Sequence, residues 1–63
     1  MNELSVSDVV TGFKRSGMSY YRVAKILKED AGNVVKTLKK MERGESVTTR
    51  TIEKYAKAIG LIA

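Results

Sequence analysis

Apolar side chains recur along this chain at helical spacing, and no stretch alternates in the way a strand requires. Val6, Val9, Val10 and Phe13 stand at i, i+3, i+4 and i+7, the stripe of one helical face. Ser5 or Ser7 can cap that stripe with an acidic residue in its first turn, and Ser16-Gly17 can stop it, so a helix is predicted over residues 6–16. Gly12 opposes this helix by about 1 kcal/mol relative to alanine. Ser19 then precedes Tyr20, Val23, Ala24 and Leu27, which share one side of a short second helix over residues 20–29. The run Glu29-Asp30-Ala31-Gly32-Asn33 reads as a break, in which Gly32 can take positive φ and Asn33 can accept from the first amides of the next helix. That helix, over residues 34–43, turns Val34, Leu38 and Met41 inward and stops at Gly44. Thr48 or Thr49 caps the last one, over residues 49–59, whose stripe is Ile52, Tyr55, Ala56 and Ile59 before Gly60. The apolar tail Leu61-Ile62-Ala63 either returns to the core across the glycine turn or rests on a neighbouring subunit. The expected fold is all-α, one small four-helix domain spanning residues 1–63 with tight connections.

Composition narrows what such a domain can do. The 63 residues include no Cys, His, Pro or Trp, which takes away disulfides, the usual zinc-finger ligands, thiol nucleophiles and imidazole bases. Glu29, Asp30 and Glu42 fall at helix termini with no apolar pocket implied around them. The chain is therefore not expected to be an enzyme, and no catalytic, cofactor-binding or metal-binding residue and no small-molecule substrate is predicted. No run of 18 apolar residues occurs, and the opening Met1-Asn2-Glu3 is neither a basic leader nor an apolar h-region. A soluble, cytoplasmic protein without a membrane partner is the expectation. A chain this short buries only about 60% of its extended surface, so a homodimer is also expected.

The net charge of +5 is unevenly placed. Residues 1–13 carry only Glu3 and Asp8, whereas residues 14–40 carry Lys14, Arg15, Arg22, Lys25, Lys28, Lys36, Lys39 and Lys40 against Glu29 and Asp30, a net +6. The excess runs from the end of the first predicted helix through the second and third, and a basic surface of that kind suits a polyanion. A basic helix, a short turn holding Gly32 and Asn33, and a second basic helix are the parts of a helix-turn-helix, in which the second helix enters the major groove.

With these parts in order, the chain resembles the Cro/C1-type (XRE-like) helix-turn-helix family of phage and mobile-element repressors and antitoxins. Gly17-Met18-Ser19-Tyr20-Tyr21-Arg22-Val23-Ala24 looks like the entry into that family's second helix. Leu38-Lys39-Lys40-Met41-Glu42-Arg43-Gly44 looks like the end of its recognition helix, and Thr51-Ile52-Glu53-Lys54-Tyr55-Ala56-Lys57-Ala58-Ile59-Gly60-Leu61 like its following helix and glycine turn. The resemblance covers roughly residues 8–61. It implies sequence-specific binding of double-stranded DNA by a homodimer that represses transcription by occupying an operator. Carried over, the base-reading positions fall on Val34, Val35, Lys36 and Lys39, and the backbone contacts on Ser19, Tyr21, Arg22, Thr37, Lys40 and Arg43. Val34 and Val35 alternatively seat the helix on the core. Two departures stand out: Gly32 lies eight positions after Ala24, about twice the family's distance to its turn glycine, and Phe13 occupies a position where the family often has an arginine that pairs with the later glutamate. Glu42 is left to pair with Arg15 or Arg43, or to remain solvated.

One of Tyr20 and Tyr21 is expected to face the first helix and the other, Tyr21, a phosphate. Tyr55, Leu61 and Ile62 are the candidate dimer surface, with Tyr55 equally able to serve as core. The rival reading is a protein-interaction module, antitoxin-like or scaffolding, that uses the same frame without an operator.

Overall fold

Each helix starts by the same local device. In the computed structural model, which describes residues 4–62, a side-chain oxygen at every N-cap accepts from the amide three residues on. Ser5 accepts from Asp8 ahead of α1 (Val6–Ser16), and Ser19 from Arg22 ahead of α2 (Tyr20–Leu27). Asp30 accepts from Asn33 ahead of α3 (Ala31–Glu42), and Thr48 from Thr51 ahead of α4 (Thr49–Ala58). At α1 the bond is reciprocated: the Ser5 amide donates to Asp8 Oδ2 at 2.9 Å, completing a capping box. These bonds satisfy amides that a helix start leaves without partners. The capping expectations at Ser5, Ser19 and Thr48 hold, and four helices without a strand among the described residues give the expected all-α class.

The break between α2 and α3 falls elsewhere than predicted. α2 ends at Leu27 and α3 begins at Ala31, so Gly32 and Asn33 are helical and the connection is Lys28, Glu29 and Asp30. Asp30 displaces Asn33 as the cap because a carboxylate accepts from the first-turn amides and also faces the positive end of the helix dipole. Gly32 needs no positive φ. Its missing side chain matters for a different reason, since a Cβ there would lie 2.9 Å from the capping Asp30 Oδ2. The left-handed residue is instead Lys28, at φ 58°, four residues after Ala24. The Lys28 and Glu29 amides close the end of α2 onto the carbonyls of Lys25 and Ala24 at 3.3 and 3.0 Å. Gly44 closes α3 and Gly60 closes α4 by the same pair of bonds, also at positive φ.

The core joins inward residues of all four helices: Val9 and Phe13 of α1, Val23 and Ala24 of α2, Val34, Leu38 and Met41 of α3, and Tyr55, Ala56 and Ala58 of α4 with Ile59 beyond it. α3 and α4 each pack against both α1 and α2. Leu38, with no exposed surface, is the largest of the fully buried side chains. No polar or charged residue is buried among those described, so the interior is held by apolar packing. The tail returns to its own chain: the Leu61 amide donates to the Ala56 carbonyl at 2.9 Å, and Ile62 packs on the core. The Leu61 side chain lies over Gly12, where a Cβ would fall 2.8 to 3.0 Å from its carbons. That close approach accounts for a glycine inside α1. Glu3, and Ala63 of the predicted tail, lie outside the described residues. No helix among those described is long and apolar enough to cross a membrane.

Candidate nucleic-acid interface

α3 divides into two faces. Val34, Leu38 and Met41, at i, i+4 and i+7, are buried, which turns Lys36, Lys39, Lys40 and Arg43 outward at i, i+3, i+4 and i+7. All four are exposed. A helix of 12 residues is about 18 Å long, and the cationic stripe runs along its outer side. Among the described residues, Lys36, Lys39 and Lys40 have no carboxylate within salt-bridge distance, while Arg43 pairs with Glu45 at 2.7 Å. The lysine charges are therefore free to meet a polyanion.

The predicted site residues separate under this geometry. Lys36 and Lys39 stand out from the helix, and Val35 is half-buried beside them. Val34 does not belong with them. With 0% of its surface exposed, it is a core residue, because the stripe that fixes the helix on the bundle passes through it. In its place the earlier helix start brings Asn33 onto the exposed first turn. Its backbone amide serves the Asp30 cap at 3.3 Å and leaves the carboxamide facing solvent. Reading Asn33 as a cap concealed it; the signal that could have revealed it is Asp30 three residues earlier, the better cap.

The backbone-contact candidates lie at two places. Ser19, Tyr21 and Arg22 form the exposed start of α2, where Tyr21 is 74% exposed. Tyr20 faces the other way: its ring packs on Phe13 with centroids 5.2 Å apart. Its hydroxyl donates to Glu42 Oε2 at 3.0 Å, tying the first turn of α2 to the last turn of α3. This bond settles the partner of Glu42, which is neither Arg15 nor Arg43. The hydrogen bond to Glu42, then burial and the repulsion of that carboxylate, raise the Tyr20 pKa above the usual tyrosine value. At the second place, Thr37 and Lys40 line a shallow groove with Ser46, Val47, Thr48 and Thr51, so the link between α3 and α4 adds the hydroxyls of Ser46 and Thr48 beside them.

Comparison of the chain with family models, with curated proteins and with solved structures returns no match. The dimer-surface candidates also separate. Tyr55 is 2% exposed and packs in the core of its own chain, as its spacing with Ile52 and Ile59 allows, so it is not a subunit surface. Ile62 is half-buried, and Leu61 keeps 40% of its surface exposed.

Proposed function

We propose that this chain binds double-stranded DNA as a helix-turn-helix and regulates transcription, as a repressor, by occupying an operator. The observation that carries the reading is the α2–α3 unit, two helices joined by three residues, whose second helix presents Lys36, Lys39 and Lys40, with Arg43 at its C-cap, as one exposed stripe. In this arrangement the start of α3 enters the major groove. Asn33 offers a carboxamide that can pair with adenine, Lys36 and Lys39 offer donors for guanine, and Val35 offers methyl groups to thymine. Ser19, Tyr21 and Arg22 at the start of α2, with Thr37, Lys40 and Arg43, take the phosphates that fix the register. The resemblance to Cro/C1-type repressors supports the same assignment, as does the left-handed Lys28 four positions after Ala24, about the distance at which that family has its turn glycine. A homodimer would set two α3 helices about 34–36 Å apart on one face of a duplex.

Duplexes selected from a random library, titrated over a salt series, test the proposal. Affinity should fall with salt by a log–log slope of about −0.9 for each phosphate contact, and Lys36→Glu with Lys39→Glu should lower it by about ten-fold or more. Selection that enriches no sequence, or a double variant that binds as well as the parent, would sink the reading in favour of a protein-interaction module.

A further inference from the structure

A groove of about 470 Å³ opens between α2 and α4. No residue of α3 lines it, so it is separate from the Lys36–Arg43 stripe. Its floor is apolar, made by Ile26 and Leu27 of α2 and by Ala58 of α4. Ile26 is 45% exposed and stands among the large hydrophobic side chains left most open to solvent. The rim is cationic: Arg50, Lys54 and Lys57 recur at i, i+4 and i+7 along α4. Glu29 pairs with Lys54, and Glu53 is the one acidic residue in the lining. Among the described residues Arg50 and Lys57 have no carboxylate within salt-bridge distance.

We propose that this groove docks an acidic amphipathic helix from a partner protein. An apolar cleft beside cations at helical spacing matches a ligand with apolar side chains at i, i+3 or i+4, and i+7, flanked by carboxylates one turn apart. A nucleic-acid backbone supplies the negative charge but no apolar side chains to cover Ile26 and Leu27. A second copy of this chain supplies apolar surface, but across a two-fold axis it would set Arg50 and Lys57 of one protomer beside the cations of the other. Only the acidic amphipathic ligand satisfies floor and rim together.

Fluorescence anisotropy with the full chain tests this, using two labelled three-turn peptides that share one leucine stripe and carry either glutamate or lysine on its flanks. The glutamate peptide is expected to bind about ten-fold or more tightly than the lysine peptide, and to weaken as salt rises. Arg50→Glu with Lys57→Glu, and separately Ile26→Ser, should each remove that preference or that binding with an unchanged circular-dichroism melt. Lys36→Glu with Lys39→Glu should leave the peptide affinity within about two-fold, which keeps this proposal distinguishable from the DNA reading. Equal binding of the two peptides, or binding of neither, overturns it. So does a dimer seen by sedimentation that Ile26→Ser dissociates, which would give the groove to a second copy. Loss of duplex affinity in the Arg50→Glu/Lys57→Glu variant with unchanged peptide affinity would give it to DNA.

Discussion

Two adjacent tyrosines at the start of α2 have opposite fates. Tyr21 points to solvent, while Tyr20 lies on Phe13 and spends its hydroxyl on Glu42. An aromatic pair and one hydrogen bond to a carboxylate thus join the start of α2 to α1 and to the end of α3. The arrangement has a consequence in alkali. The Tyr20 pKa is raised chiefly by the bond it donates to Glu42, with burial and the Glu42 charge adding to it. A folded-state value above the unfolded one makes the bond's contribution complete below about pH 10, the ordinary tyrosine value, and loses it as pH rises through the raised value. Ultraviolet titration should show the Tyr20 phenol ionising above the ordinary tyrosine value, and Glu42→Gln should bring it back toward that value. An unchanged titration in that variant would remove Glu42 as the cause. At the same scale, Val34 takes the core side of its two readings, and Asn33, expected as the cap, stands exposed in the first turn of α3. Both are compatible with helix, and the burial of Val34 with Leu38 and Met41 leaves Asn33 on the exposed side.

The α2–α3 connection forms at Lys28, Glu29 and Asp30 rather than at Gly32 and Asn33. Glycine is the usual residue at positive φ, so Gly32 drew the turn toward itself; the chain instead places Lys28 there and accepts the cost of a side chain in the left-handed region. Ser5 and Ser19 were legible because each directly precedes an apolar stripe, and Thr48 or Thr49 because the stripe of Ile52, Tyr55 and Ile59 begins within one turn of them. Asp30 was not, because it precedes Ala31 and Gly32, which carry little stripe signal. Two substitutions bracket this connection. Lys28→Gly relieves the left-handed lysine but loosens the unfolded chain, for a net gain of about 0.5 kcal/mol, whereas Asp30→Ala should cost about 1 kcal/mol through loss of the cap. Urea denaturation measures both. A destabilised Lys28→Gly would mean that its side chain supports the turn in a way the backbone does not reveal.

Across the whole molecule, 63 residues at the usual stability per residue amount to about 3–9 kcal/mol. Leu38 is fully buried at the centre of α3, and its truncation to alanine should cost about 2–5 kcal/mol, a large part of that total. Leu38→Ala is therefore expected to lose most of its cooperative melt at 25 °C by circular dichroism, while Ile26→Ala, at a half-exposed position, should melt near the parent. A stable Leu38→Ala protein would mean that the core can collapse onto the gap.

Helix number, helix faces and the residues of the core follow from local physics, because 3.6-residue periodicity and capping spacing are written in neighbouring positions. So does the concentration of charge in the second and third helices. Tertiary structure decided what depends on distant residues coming together. Leu61 meets Gly12 across the fold, Tyr20 meets Glu42, Tyr55 is enclosed, and α2 and α4 lie side by side so that Ile26 faces the cations of α4. No local pattern encodes these pairings, since each depends on how helices separated along the chain pack against one another.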